Sequence, residues 1–401
     1  MGADFIGDAK KRIKRSLIRD IYQISYIKRR NPEKDIRKLA ISGYKKSKKC
    51  AEVTEEENYP VDFAVMWVDG GDPVWLAEKK RYQESLNREQ ISVNPDARYR
   101  DWDTFKYWFR AVEKNAPWVR NVILVTCGQI PDWLDTEHPK LKTVDHKDFI
   151  PEKYLPTFNS STIETNLWRI DELSEHFVLF NDDMFLLNPS KKGDFFKGGF
   201  PKLSATTKPY VPGKNMSVFE FKLYNSVGAY NTLGLNGKFN IRSVMEEKPE
   251  KWFSSVYGKY SIEYNIRTYE DGYMSGMFFN HSCAPMRKSS MEACINEFFD
   301  LYDHACSIRF RSFRDINRQI CHMWDIMNNE FEPVVNSHYG EFLNITGENI
   351  GQARSYFSDP SMLCICLNDS EKIKKEEYDY VKREVVDMLD KKYPEKSSFE
   401  K

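Results

Sequence analysis

Apolar runs of strand length alternate with stretches at helical spacing between residues 61 and 181. DFAVMWV at 62–68 is a buried-strand pattern that stops at the turn-forming Asp69-Gly70-Gly71-Asp72-Pro73. Phe105, Trp108, Phe109 and Val112 recur at i, i+3, i+4 and i+7, which predicts a helix capped by Asp103 and ended by Pro117. NVILVT at 121–126 predicts a second strand, stopped by Gly128 and Pro131, and LKTVDH at 141–146 a third. Thr162 to Leu173 reads as a helix, and HFVLF at 176–180 as a fourth strand broken by Asn181-Asp182-Asp183. Near-continuous apolar strands alternating with helices predict an α/β fold, a mostly parallel sheet with helices on both faces.

Beyond residue 190 the pattern loosens. Residues 190–260 are rich in Gly, Lys and aromatics with poor periodicity, as in an insertion or lid, and 261–330 read as helical. MLCICL at 362–367 is a further strand pattern, and 371–395 a charged helix with Tyr378, Val381, Val385 and Leu389 near one face. The expected organisation is a basic helical segment at 1–55, a main domain at 60–370 and a C-terminal charged helix at 371–401.

The chain of 401 residues carries 60 Lys plus Arg and 60 Asp plus Glu, so its overall charge points to no nucleic-acid partner. That balance hides an asymmetry: residues 1–50 hold 16 basic against five acidic side chains, a net of +11. Ile13, Leu17, Ile21 and Ile24 fall at helical spacing among Lys10, Lys11, Arg12, Lys14, Arg15 and Arg19, and a second basic run covers Lys45 to Lys49. This segment suits packing on the main domain, and equally peripheral adsorption to the inner face of an anionic membrane or to a polyanionic acceptor. With no apolar run of transmembrane length and no secretory signal, a cytoplasmic setting is expected. The eight cysteines match no zinc spacing and are expected to be reduced and buried. Phosphate-loop, zincin, dinucleotide-binding and serine-hydrolase motifs are missing.

The remaining polar clusters sit just after strand ends, where ligands bind in open α/β sheets. Asp182 and Asp183, beside Asn181, offer hard oxygens of the kind that hold Mg²⁺ or Mn²⁺ against phosphates; the triplet equally suits an ordinary turn. Asp69, Gly70 and Asp72 combine a permissive backbone with two acceptors, fit for a ribose or for ending a strand. His281, in FFNHSCAP, is a residue type that acts as a general base near neutral pH. Arg309, Arg311 and Arg314 in RFRSFR suit bidentate phosphate binding or a solvated helix face. Asn368 and Asp369 follow MLCICL and again place a carboxylate at a strand end.

Four blocks stand out together: VMWVDGGDPVW at 65–75, RYRDWDTF through NDDMFLL at 98–187, NHSCAPMRK with RFRSFRDIN at 280–317, and CICLND at 364–369. They resemble the Stealth family of sugar-1-phosphate transferases. Its members include bacterial capsule polymerases and the animal enzyme that tags lysosomal glycoproteins with GlcNAc-1-phosphate. The resemblance covers residues 61 to 370 and leaves both termini outside it.

That resemblance implies a glycosyltransferase-A-like, Rossmann-like domain with helical additions. Its donor is expected to be a nucleotide sugar, a UDP-sugar by family expectation. Hexose- or N-acetylhexosamine-1-phosphate passes to an acceptor sugar hydroxyl, forming phosphodiester links in capsular or cell-surface polysaccharide and releasing a nucleoside monophosphate. The resemblance assigns catalysis to His281, Arg311, Asp182 and Asp183. It assigns donor binding to Trp67, Asp69, Gly70, Asp72, Arg100, Glu164, Arg169 and Asn181, and Mg²⁺ or Mn²⁺ to Asp182, Asp183, Asn368 and Asp369. Trp168 stands where relatives often have His. Two rival readings are a metal-dependent glycosyltransferase that forms a glycosidic bond and a non-catalytic polyanion- or membrane-binding module. Sugar, acceptor and oligomeric state stay open at this stage.

Overall fold

The computed structural model describes residues 35–50, 58–84, 86, 91, 94–208, 228, 231–369 and 373–401; the amphipathic run at 9–30 lies outside them. The four expected strands are β1 (Val61–Met66), β2 (Val122–Thr126), β3 (Leu141–Asp145) and β4 (His176–Asn181). After them come β5 (Met184–Leu186), β6 (Phe196–Lys197), β7 (Phe200–Leu203), β8 (Ala284–Arg287), β9 (Glu332–Pro333), β10 (Gly340–Asn344) and β11 (Cys364–Asn368). The central sheet has the order β3-β2-β1-β4-β8. Its first four strands are parallel and β8 is antiparallel to β4. Two three-stranded sheets flank it, β10-β11-β5 and β6-β7-β9.

Side chains along the central strands alternate between two cores, as the period of two requires. Phe63 and Val65 of β1, Val122 and Leu124 of β2 and Val178 and Phe180 of β4 enter one core. Ala64 and Met66, Ile123 and Val125, and Phe177 and Leu179 enter the other. A sheet buried on both faces needs an apolar residue at nearly every position, which is why these strands read as unbroken runs.

The helix Phe105–Asn115 covers the first core with Phe105, Trp108, Phe109 and Val112, the spacing read from the sequence. Beside it the helix Tyr378–Lys392 buries Val381, Val385 and Leu389. Arg110 ties this C-terminal segment down, donating from Nε and Nη2 to Glu400 at 2.7 and 2.8 Å and from Nη1 to the Tyr393 carbonyl. The helices Asp35–Cys50, Lys259–Asp271, Lys288–Glu297 and Gln319–Met327 cover the second core. Within 190–260, Trp252, Phe253 and Tyr257 are buried in that core too.

Three local expectations change. Asp103 does not cap the helix Phe105–Asn115: Thr104 holds the cap position, while Asp103 takes a left-handed backbone (φ 58°) and pairs with Lys382. The helix expected over Thr162–Leu173 runs Ser160–Asn166, capped by Asn159, and continues only as a 3-10 turn, Leu167–Arg169. The helical region 261–330 contains β8, whose Pro285 is tolerated on the last strand of the sheet. Cys283, Cys294, Cys306, Cys321, Cys364 and Cys366 are buried free thiols, and Cys127 is a half-buried one. Among the described residues no helix is long and apolar enough to cross a membrane.

Candidate active site

The chain runs outward from β1 through β2 to β3 and then returns to lay β4 on the other side of β1. Where the order reverses, the connections leave in opposite directions and a crevice opens outside the carboxyl ends of the strands. A cavity of about 640 Å³ lies there, with Trp67 from the end of β1 and Asn181, Asp182 and Asp183 from the end of β4 in its wall. 

The acidic pair occupies the tight turn between β4 and β5. Because β5 pairs antiparallel with β11, with Met184 opposite Cys366, the residues after β11 arrive beside that turn. The Leu367 N–H donates to the Asp183 carbonyl at 2.9 Å, and Asn368 and Asp369 enter the same cavity. Antiparallel pairing of β8 with β4, Ala284 opposite Leu179, likewise draws the preceding His281 to the turn. Its Nε2 lies 3.4 Å from Asn181 Nδ2, with the Phe342 ring edge-on to the imidazole.

Arg311 reaches the cavity from a loop held by apolar and polar anchors. Phe310 stacks on Phe158 at 4.9 Å, the Phe158 N–H donates to the Arg309 carbonyl, and Asn94 brackets the Arg311 backbone from both sides. The Arg311 guanidinium donates to Ser160 Oγ at 2.5 Å. Its neighbours in the RFRSFR motif go elsewhere: Arg309 lies over the Tyr82 ring and Arg314 is exposed.

Electrostatics divide the site. Burial pushes the Asp182 and Asp183 carboxyls up from the usual range, and the charges of Asp183 and Asp101 push Asp182 further. Burial also pushes His281 down to about 3, helped by the positive charges of Arg318, Arg311 and Arg98, so its imidazole is neutral.

The expected donor-binding residues split. Trp67, Asn181 and Arg100 line the cavity. Glu164 is instead buried in an ion pair with Arg318 at 2.9 Å. Arg169 donates to Asn166 and covers the Trp168 ring at 4.1 Å, away from the cavity wall. Asp72 caps the helix Pro73–Gln83 through Val74 and Trp75, which holds its carboxyl below the usual range, and Asp69 accepts from the Gly71 N–H. These four lie outside the cavity wall, each with a partner within the fold.

Gly70 serves a close approach: a Cβ there would stand 1.6 Å from the Tyr99 carbonyl oxygen. Gly70→Ala is expected to displace the segment carrying Arg100 and Trp102 and to cost about 1–3 kcal/mol. Urea denaturation reads this, and an unchanged midpoint would contradict the contact.

The wall also holds Arg98, Tyr99, Asp101, Trp102, Ser160 and His146, which the sequence reading did not single out. RYRDWD does carry a signal, charged residues alternating with aromatics. Its backbone is a 3-10 turn, Asp96–Tyr99, followed by loop, so no periodicity marked it.

Among the described residues, the acidic turn offers oxygens suited to a divalent cation. Asp183 Oδ1 and Asn181 Oδ1 are buried with no hydrogen-bond partner among the described residues, hard oxygens with lone pairs to spare. Asp369 is engaged otherwise: it accepts from Arg100 at 2.6 and 2.7 Å and from Trp102 Nε1 at 2.9 Å. Asn368 donates to Asn344 at 2.7 Å. Among the described residues no group of three His, Cys, Asp or Glu forms a ready-made cage. Mg²⁺ does not require one, since it commonly uses one or two carboxylates with waters and substrate phosphates.

A strand-end crevice with an acidic pair, a neutral histidine and an arginine is the equipment of a group-transfer enzyme. Residues 98–202 match the family model described as Stealth protein CR2, conserved region 2. A capsular polysaccharide phosphotransferase of Streptococcus pneumoniae is 38% identical over 85% of this chain and 99% of its own. A receptor polysaccharide phosphotransferase of Streptococcus oralis is 34% identical over 85% of this chain and 99% of its own. An exopolysaccharide phosphotransferase of Lactiplantibacillus plantarum is 35% identical over 86% of this chain and 97% of its own. The chain belongs to the Stealth family, and it is an enzyme of the phosphotransferase class.

Proposed function

We propose that the protein moves a sugar-1-phosphate from a nucleotide sugar to a hydroxyl of a saccharide acceptor, building phosphodiester links in a capsular or cell-surface polysaccharide. The observation that carries this reading is the meeting of Asp182, Asp183, His281 and Arg311, from three distant stretches of chain, in one cavity. The relatives named as polysaccharide phosphotransferases support the substrate class. A glycosyltransferase-A-like sheet and a UDP-sugar donor belong to the same proposal. So does a peripheral seat on the inner membrane face through the basic residues 1–50.

Phosphoryl transfer needs positioning and charge neutralisation more than covalent help. Arg311, steadied by Ser160, is placed to bind non-bridging oxygens of the transferred phosphate. The neutral imidazole of His281 takes the proton of the acceptor hydroxyl as that oxygen attacks phosphorus. The bond from phosphorus to the nucleotide oxygen breaks, a nucleoside monophosphate leaves, and the anomeric bond is untouched. Mg²⁺ or Mn²⁺ fits Asp182 and Asp183, where it would offset the negative charge of the pyrophosphate.

Incubation with a panel of nucleotide sugars, a saccharide acceptor and Mg²⁺ tests this. Release of nucleoside monophosphate with a phosphodiester signal in phosphorus NMR is expected. Release of nucleoside diphosphate with a new glycosidic bond would replace the proposal with attack at carbon.

A further inference from the structure

The helix Asp35–Cys50 carries two opposite stripes. Ile36, Ala40 and Tyr44, at i, i+4 and i+8, are buried in the second core. Gly43 lies so close to the neighbouring segment that a Cβ there would stand 2.3 Å from the Pro249 carbonyl oxygen, which fixes the way the helix faces. Lys38, Lys45 and Lys49, at i, i+7 and i+11, fall within about 40° of one another on the outer side. They are exposed, as are Lys46 and Lys48 beside them. The helix holds six basic side chains and one acidic, and the 34 residues before it add ten basic and four acidic.

Apolar groups border this lysine stripe. Arg37 pairs with Glu263 at 3.2 Å, and Ser47 Oγ accepts the Ser255 N–H at 2.9 Å, so the helix runs antiparallel to the segment 255–263. Val256 and Tyr260 fall between those two contacts and are 39% and 66% exposed. Lys259 lies over the Tyr260 ring at 4.9 Å. Glu263 is the one acidic residue of 255–263, and with Glu250 it is already engaged by the helix through Arg37 and Lys46. The positive charge of the outer stripe is therefore left in excess.

We propose that this face seats on an anionic lipid bilayer, with Lys38, Lys45 and Lys49 at the headgroup phosphates and Val256 and Tyr260 entering the interface beside them. A lysine stripe alone would suit any polyanion, a phosphodiester polysaccharide included. Val256 and Tyr260 decide for lipid: an aliphatic side chain and a ring gain by leaving water for the acyl boundary, whereas a hydrated polymer leaves Val256 in water. Each lysine near an anionic surface is worth about a fivefold change in partitioning. The inference rests on the peripheral seat proposed above and names the folded surface that makes it.

Cosedimentation of the full chain with vesicles tests it. The native protein should bind vesicles containing phosphatidylglycerol, leave them as salt rises, and ignore pure phosphatidylcholine. The triple variant Lys38→Ala, Lys45→Ala, Lys49→Ala should bind the anionic vesicles about 100-fold more weakly. The double variant Val256→Ser, Tyr260→Ser should lose roughly 10-fold on vesicles yet bind soluble polyphosphate as the native chain does. Should either variant melt at lower temperature, hydrogen exchange on the native chain replaces it: anionic vesicles should protect residues 255–260 and zwitterionic ones should not. Vesicle binding equal to native in both variants, or unprotected 255–260, would overturn this face while leaving a membrane seat elsewhere on the chain. Polyphosphate binding that falls with vesicle binding in the double variant would make the face a polyanion site and overturn the lipid assignment. A native chain that ignores anionic vesicles would overturn the peripheral seat itself, with sugar-phosphate transfer untouched.

Discussion

Asp183→Asn and Asp182→Asn are each expected to lower turnover about 10³-fold or more, the loss of several kcal/mol of charge stabilisation at the reacting phosphate. The same substitutions should stabilise the fold in chelator. Asp183 Oδ1 is a buried oxygen with no hydrogen-bond partner among the described residues, and Asp182 is destabilised as an anion by burial and then by the charges of Asp183 and Asp101. Holding such carboxylates ionised opposes folding, and a neutral amide of the same shape relieves it by about 1–3 kcal/mol. Added Mg²⁺ should then raise the melting temperature of the native protein and leave both variants unmoved, because only a folded site with its charges intact binds the ion. Full turnover in EDTA, or variants less stable than the native chain in EDTA, would make these carboxylates structural.

The part of this architecture legible in the sequence is the part fixed by local rules. β1, β2 and β4 lie between two cores and therefore read as unbroken apolar runs. The amphipathic stripe of Phe105–Asn115 was equally plain. β8 was not, because four residues containing Pro285 carry no periodic signal and become a strand only by pairing with β4. That pairing is what brings His281 across 100 residues to Asn181. Block resemblance could place Asp182, His281 and Arg311 in one site, but it could not say which polar residues face ligand. Glu164 and Arg318 answer each other inside the protein, and Asp369 answers Arg100, because a charge buried by long-range packing takes whatever countercharge the fold supplies.

His281→Ala is expected to lower kcat by 10²–10⁴, the usual worth of a general base, with donor affinity nearly unchanged. The pH profile carries the sharper test. In the free protein burial pushes His281 down to about 3, with Arg318, Arg311 and Arg98 adding to the effect. Its basic form is therefore fully present above about pH 4, and kcat/KM should show no acid limb from this group between pH 5 and 7. An anionic donor bound beside Arg311 offsets those positive charges and raises the histidine, so the acid limb of kcat should lie at higher pH than that of kcat/KM. Stability follows the opposite linkage. His146, His281 and His322 are all held below the ordinary range, at about 4, 3 and 3, so the unfolded chain takes up protons first. Stability should accordingly fall as pH drops from about 6.5 toward 4, and His281→Ala should flatten that slope. An unchanged slope together with unchanged kcat would show that the imidazole neither sits neutral in the crevice nor takes the acceptor's proton.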